Sequence, residues 1–302
     1  MGRDVAATSP KAREVYDRAN DILGFDLANI CFEGPAERLE QTDIQQPAIF
    51  VTSVAIWEAW RKNGGGVDSL THAGGLSLGE YTALHAAGVL SFDDGLRLVR
   101  RRGELMQEAA RRSPSGMVSL VGADEATARK LCESARGDEV LAPANFNCPG
   151  QVVIAGGKAA CQRAMGLAEK FGVKGVPLAV AGAFHSAYME PAAAGLAAVL
   201  RETSLARPRM NVIANVNAEY HGDAESIRKS LTRQVTHPVL WQRCMERLIA
   251  DGVGSFVEIG PGRVLTGLLR KIDRNLKGVN ISTAEAVAGD PQPSGRAEVR
   301  AG

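Results

Sequence analysis

Between Met117 and Val180 short apolar runs alternate with helical stretches in one readable order: MVSLVG, Asp124 to Ala135, VLAPANF and QVVIAGG parted by a Cys148-Pro149-Gly150 turn, Lys158 to Lys170, then GVPLAV. This is βαββαβ, the split arrangement that closes on itself as a four-stranded sheet with its helices on one face. Residues 115–181 are therefore expected to form a small subdomain inserted into a larger one. The larger part also reads as α/β, because its glycine clusters at 64–66, 74–75 and 260–262 fall between periodic segments, as loops at strand ends do. Ser9-Pro10 opens a helix to about Leu23, Pro47 opens a second that carries Ile49, Val54, Ile56 and Trp60, and Asp93 or Asp94 begins a third that ends near Arg111. A short strand is expected at Ser69–Ala73. Beyond the subdomain come a helix after Pro191, a strand at Asn211–Asn217, helices near Asp223–Val235 and Val239–Ala250, the strand SFVEI, and a helix after GPGRVL. The large domain thus comprises 1–114 and 182–286, and the polar stretch 287–302 reads as a mobile tail.

Composition narrows the function. With 302 residues, 45% of them hydrophobic, the chain can bury a sizeable core. Thirty-five Lys plus Arg against 34 Asp plus Glu leave a formal charge of +1, so no global field favours nucleic acid or an anionic membrane. No apolar run approaches the roughly 20 residues that cross a bilayer, and the polar start is no signal peptide. A cytoplasmic, monomeric protein is expected. The five cysteines (Cys31, Cys132, Cys148, Cys161, Cys244) form no CxxC pair and read as buried thiols in a reducing compartment. The five histidines form no HExxH, and neither GxGxxG nor GxxxxGK[ST] is present, so neither a metal nor a bound cofactor is expected.

Chemistry concentrates at three places. Gly75-Leu76-Ser77-Leu78-Gly79 matches G-x-S-x-G between a strand and a helix, where small neighbours permit a tight turn and the helix N-terminus offers N–H groups to an oxyanion. The bland alternative is a structural turn with Ser77 capping the helix. Arg102 lies in the middle of the apolar stripe Leu98, Val99, Leu105, Met106 and Ala109. A guanidinium on that inward face requires a partner, either a protein carboxylate or an anionic ligand group. His185, in Ala181-Gly182-Ala183-Phe184-His185-Ser186, is the histidine best placed to act as base for Ser77. His85 reads as packing, His72 could flank the nucleophile turn, and His221 and His237 lie in polar connections. No carboxylate completes a triad: Glu80 is expected to make first-turn or loop interactions, and a backbone carbonyl can orient a histidine instead. Gly260-Pro261-Gly262 reads as a tight turn sooner than a phosphate loop.

Taken together, GLSLGEYTALHAAG, VRRRGELMQ, NFNCPGQVVIAG, GAFHSAYMEPA, RQVTHPVLW and VEIGPGRVLTGL resemble the malonyl-CoA:acyl carrier protein transacylases, the acyltransferases that load malonyl units for type II fatty acid synthesis. The resemblance runs from the first helix to about Ser282. It implies a larger parallel-sheet domain of the α/β-hydrolase kind with an inserted ferredoxin-like subdomain. It implies ping-pong transfer through a Ser77 acyl-enzyme, with malonyl-CoA as donor, holo-acyl carrier protein as acceptor and His185 as base. The Gln234 backbone carbonyl would position His185, the Leu78 amide would support the oxyanion, and Arg102 would bind the malonyl carboxylate. Leu76, Phe184 and Asn215 map onto the pocket, Phe184 following the malonyl-type rather than the methylmalonyl-type pattern.

Two departures accompany the resemblance. Leu76 stands where most relatives have histidine. Relatives also begin with a core strand and a glycine- and glutamine-rich loop that supplies an oxyanion N–H, whereas this sequence opens where that loop ends, so a shortened form of reduced activity or stability is expected. A serine thioesterase or esterase, and an impaired homologue that only binds carrier protein, are the competing expectations.

Overall fold

The computed structural model describes residues 1–66 and 69–289. Its strands are β1 (His72–Ala73), β2 (Ser115–Val121), β3 (Leu141–Cys148), β4 (Gln151–Gly157), β5 (Lys174–Pro177), β6 (Asn211–Val212), β7 (Ser255–Ile259) and β8 (Lys277–Ile281). β2 to β5 form one antiparallel sheet in the order β3-β4-β2-β5, the arrangement that the βαββαβ pattern predicts. Strand periodicity assigns each face its own partner. Val118, Leu120, Val152 and Ile154 pack under the Glu125–Ala135 and Lys158–Leu167 helices, together with Leu131 and Ala160. Met117, Val153 and Ala155 face the other way, onto Ala183 and the partly buried Phe184. The subdomain therefore presses its second face against the segment that carries His185.

The large domain is built around the Thr42–Lys62 helix, which packs against the Pro10–Leu23 and Phe92–Arg112 helices. Ser9 accepts the Ala12 N–H, as the Ser9-Pro10 start predicts, and Gly24 closes that helix at φ 72°; Ser91 accepts the Asp94 N–H, so the third helix starts at Phe92, ahead of the expected Asp93 or Asp94. The central helix differs from expectation. It starts at Thr42, so Pro47 lies inside it instead of opening it. Proline removes one intrahelical bond, and the carbonyl left over, Asp43 O, receives Arg100 Nη1 at 3.4 Å. Burial of Phe50, Val51, Val54, Ile56 and Trp60 outweighs that local defect.

The parallel strands form two pairs, β1 with β6 and β7 with β8. β8 is a strand with no counterpart in the sequence reading. Expected strand length shrinks at β1 and β6: Ser69–Ala73 contributes His72 and Ala73, and Asn211–Asn217 contributes Asn211 and Val212 before the chain turns through Ala218 at φ 57°. Residues of β1 and β7 both line a cavity of about 600 Å³ with Trp57, Leu70, Trp241 and Phe256. Val287, expected at the start of a mobile tail, is buried on an Ala284–Ala288 helix capped by Thr283. The rest of that tail, from residue 290, lies outside the described residues.

Candidate active site

The Gly75–Gly79 turn leaves β1 and enters the Gly79–Ala86 helix. A side chain at Gly75 would meet the Gly79 backbone at 2.1 Å, which is why the first glycine of the pattern is obligatory. Ser77 sits at φ 53°, a left-handed conformation costing roughly 1–3 kcal/mol for a non-glycine residue. Asn215 holds the turn in that shape: Oδ1 accepts the Ser77 N–H at 2.6 Å and Nδ2 donates to Gly75 O at 2.9 Å. Leu78, next in sequence, caps the helix and brings its N–H to the end where backbone donors lack intrahelical acceptors.

His185 reaches this turn across 108 residues, its Nε2 lying 2.8 Å from Ser77 Oγ. Its own backbone is left-handed, at φ 58°. Nδ1 lies 2.6 Å from the Gln234 backbone oxygen. A carbonyl can only accept, so Nδ1 carries the proton and Nε2 presents its lone pair to the serine hydroxyl. Burial, and then the neighbouring Arg102 charge, push the imidazole down to about 4, so at pH 7 it is neutral and its Nε2 lone pair is free to accept a proton.

Arg102 is 1% exposed. Nη1 donates to Gln46 Oε1 at 2.6 Å, while Nη2 donates to Gln234 Oε1 at 2.9 Å and to Ser77 Oγ at 3.1 Å. Its guanidinium lies over the Tyr81 ring, 5.3 Å from the centroid. Desolvation lowers its pKa. None of the ion pairs among the described residues includes it, so the alternative in which a protein carboxylate neutralises the inward arginine fails. The cation is held by neutral groups beside Ser77.

Two residues that the sequence reading set aside belong to the same network. Glu80 is wholly buried; Oε2 accepts Asn215 N–H at 3.0 Å and Gln234 Nε2 at 2.7 Å, and Oε1 lies 2.8 Å from His221 Nε2. Gln234 Nε2 also donates to Ser77 O at 3.0 Å. His221, expected in a polar connection, is thus a buried partner of Glu80 across 141 residues, and no local pattern could have announced it.

Of the remaining expected residues, Leu76 packs on the cluster around Trp241, and Phe184 lies between the large-domain core and the second face of the small sheet. Asn215 braces the Gly75–Gly79 turn. His85 packs against Phe50 and Phe92 with Nδ1 3.0 Å from Leu90 O; His72 bonds Asn211, and His237 remains exposed. The Gly260-Pro261-Gly262 turn is structural. Glu258 fills the following helix N-terminus by accepting the Leu265 and Thr266 N–H groups, each at 2.8 Å, where a phosphate would otherwise sit. The 600 Å³ cavity borders Gly74, Gly75 and Gly79 but not Ser77, His185 or Arg102, so it lies behind the Gly75–Gly79 turn. No group of three or more His, Cys, Asp or Glu side chains among the described residues is placed to hold a metal ion.

The arrangement can form and resolve an acyl-serine, with a neutral base on one side of Ser77 and an uncommitted cation on the other. Comparison with known proteins agrees with that chemistry. A family model described as acyl transferase domain matches residues 1–300. The malonyl CoA-acyl carrier protein transacylase of Salmonella typhimurium is 43% identical over 273 residues, covering 90% of this chain and 88% of the relative. That of Bacillus subtilis is 38% identical, covering 95% and 90%. Among solved structures, an acyl carrier protein S-malonyltransferase from Vibrio cholerae superposes with a TM-score of 0.91 at 39% identity, covering 96% of this chain and 94% of that one. A malonyl-transacylase solved in complex with its type II PKS acyl-carrier protein superposes at 0.92, also at 39% identity, with 96% and 94% covered. With a matching family model over nearly its whole length and relatives well above 30% identity, the chain belongs to the acyl transferase domain family.

Proposed function

We propose that this protein transfers malonyl from malonyl-CoA to the phosphopantetheine thiol of holo-acyl carrier protein. The observation that carries the reading is the buried Arg102 guanidinium, bonded to neutral groups and 3.1 Å from Ser77 Oγ, where it can receive the free carboxylate of a malonyl group attached to that oxygen. Ser77 Oγ attacks the thioester carbon as its proton passes to His185 Nε2. Negative charge develops on the carbonyl oxygen, toward which the Leu78 N–H is the local backbone donor. Collapse breaks the C–S bond, and His185 returns the proton to the departing CoA thiolate. In the second half the carrier thiol gives its proton to His185, attacks the acyl-serine, and Ser77 recovers its hydrogen. The Gln234 carbonyl holds the ring throughout and stabilises the transient imidazolium.

Acetyl would leave the Arg102 cation without a counter-charge in the complex, so the site favours the acyl group that brings one. The relatives' printed names, and the complex of one neighbour with a carrier protein, support the same donor and acceptor. The reaction belongs in the cytoplasm: the five cysteines are buried free thiols, and no helix among the described residues is long and apolar enough to cross a membrane. We also keep the division into 1–114 with 182–286 and an inserted 115–181, which places the serine and the histidine on either side of the insertion.

Intact-protein mass after brief incubation with malonyl-CoA tests the reading. A malonyl-sized gain that is absent in Ser77→Ala and weak with acetyl-CoA is expected. Rapid release of free malonate in the presence of carrier protein would favour a hydrolase, and no gain from folded protein would favour a binding-only homologue.

A further inference from the structure

Arg102 is held on both sides by side-chain amides. Gln46 Oε1 accepts Nη1 at 2.6 Å, and Gln234 Oε1 accepts Nη2 at 2.9 Å. Behind Gln234 stands the buried carboxyl group of Glu80, which accepts Gln234 Nε2 at 2.7 Å. Because Glu80 Oε2 accepts from both Asn215 N–H and Gln234, the Gln234 amide can face it only with its NH₂ end, and its carbonyl is thereby turned to the guanidinium. Gln46 is fixed the same way around, with Nε2 on the Met106 sulfur at 3.4 Å and its oxygen on Arg102.

The choice of amides has an electrostatic consequence. A carboxylate at either position would sit directly on Arg102 and close a buried ion pair, and an incoming acyl carboxylate would then meet a neutral pair instead of a cation. A purely apolar residue would leave the guanidinium unheld. Amides supply acceptor oxygens without charge, and Gln234 keeps Glu80 one side chain away. Building on the malonyl reading above, we infer that the side chains of Gln46 and Gln234 are positioning residues that hold Arg102 without neutralising it, and so set the preference for acyl groups that end in a carboxylate. For Gln234 this role is separate from that of its backbone carbonyl, which orients His185.

The test compares Ser77 acylation by malonyl-CoA and acetyl-CoA, as a ratio of kcat/KM, in the wild type, Gln46→Glu, Gln46→Met and Glu80→Gln. Gln46→Glu puts a carboxylate against Nη1 and is expected to lower the malonyl-to-acetyl ratio by about tenfold or more. Gln46→Met loses the same hydrogen bond but adds no charge, and keeps more of the preference. Glu80→Gln removes the distant counter-charge at constant shape, and its ratio holds or rises. An unchanged ratio in Gln46→Glu, equal falls in the two Gln46 variants, or a falling ratio in Glu80→Gln would each overturn the inference. Should Gln46→Glu not fold, Glu80→Gln still decides. The same acyl groups presented as p-nitrophenyl esters read the Arg102 contact without CoA. Wild type acylated from the esters but not from the thioesters would sink the malonyl-CoA reading while these ratios still judge the inference, and acylation from neither source overturns both.

Discussion

Arg102 Nη2 and Ser77 Oγ lie 3.1 Å apart, a cation in hydrogen-bond contact with the oxygen proposed above to take the acyl group. The length of a malonyl chain makes this contact useful: once Ser77 is acylated, a carboxylate two carbons from the ester carbonyl oxygen can take the guanidinium that the hydroxyl has released. Arg102→Ala should lower kcat/KM for malonyl-CoA by roughly 10- to 100-fold, the value of one hydrogen-bonded charge pair, and lower that for acetyl-CoA far less. Parallel initial rates with the two donors check this, and equal losses would show that Arg102 only supports the fold.

His185 is held neutral by burial, with Arg102 adding to the effect, at a pKa of about 4. Its ability to accept the Ser77 proton should persist below pH 6 and disappear as pH falls through about 4, well under the ordinary histidine range near 6.5. Burst amplitude or single-turnover acylation across pH 3.5–8 would locate the inflection, roughly, by the same logic. The stability consequence has a definite sign. Above about 6.5 the ring is neutral folded or unfolded and contributes no pH dependence; as pH falls from there toward 4 only the unfolded state takes up the proton, so stability declines.

A malonyl group brings a carboxylate to Arg102 and offsets one of the two causes that depress His185. The malonyl-enzyme should therefore show a higher His185 pKa than the acetyl-enzyme. Titration of the ring by NMR in the two acylated forms, stabilised by withholding the carrier protein, measures the difference, and identical values would remove Arg102 from the electrostatics of the base.

Gly75→Ala should abolish acylation and destabilise the large domain, because the added methyl would overlap the Gly79 backbone at 2.1 Å and that contact has no flexible end to move. Thermal unfolding and mass-detected acylation, measured together, separate loss of fold from loss of the turn.

Asn215→Asp keeps the acceptor for Ser77 N–H but faces an oxygen toward Gly75 O in place of the donor that is 2.9 Å away. A loss of about 1–3 kcal/mol in stability is expected, the usual cost of an unsatisfied buried polar group, along with slower acylation because Ser77 loses support for its left-handed backbone. Full activity at wild-type stability would mean that the turn holds its own shape.

Several features of this protein were readable because they are local. Ser9 and Asp124 sit at helix starts and accept the N–H three residues on, so a capping residue before a periodic run marks the boundary in the sequence itself. The βαββαβ order needs only alternation of apolar residues and turn residues, and its antiparallel sheet follows. Ser77, His185 and Arg102 were reachable from a motif, a small-residue loop and one charge out of place on an apolar stripe; Gln234, Leu78, Leu76, Phe184 and Asn215 entered only through resemblance to a family.

Pro47 shows where local reasoning ends. Its ring favours the first turn of a helix, but an unpaired carbonyl met by Arg100 and a deeply buried face carried the helix back to Thr42. Glu80 and His221 show the same limit at the site: each is an ordinary polar residue in its own segment, and their meaning arises where chain separated by 141 residues comes within 2.8 Å. By itself the sequence determined the βαββαβ order of the small sheet and several of the helices around it, and it offered Ser77, His185 and Arg102 as candidate reactive groups, since those depend on periodicity, caps and side-chain chemistry. Only the tertiary structure decided which neutral amides hold Arg102, which tautomer His185 carries and which carboxyl group stands behind the site, because hydrogen-bond partnership and desolvation exist only after distant segments are packed together.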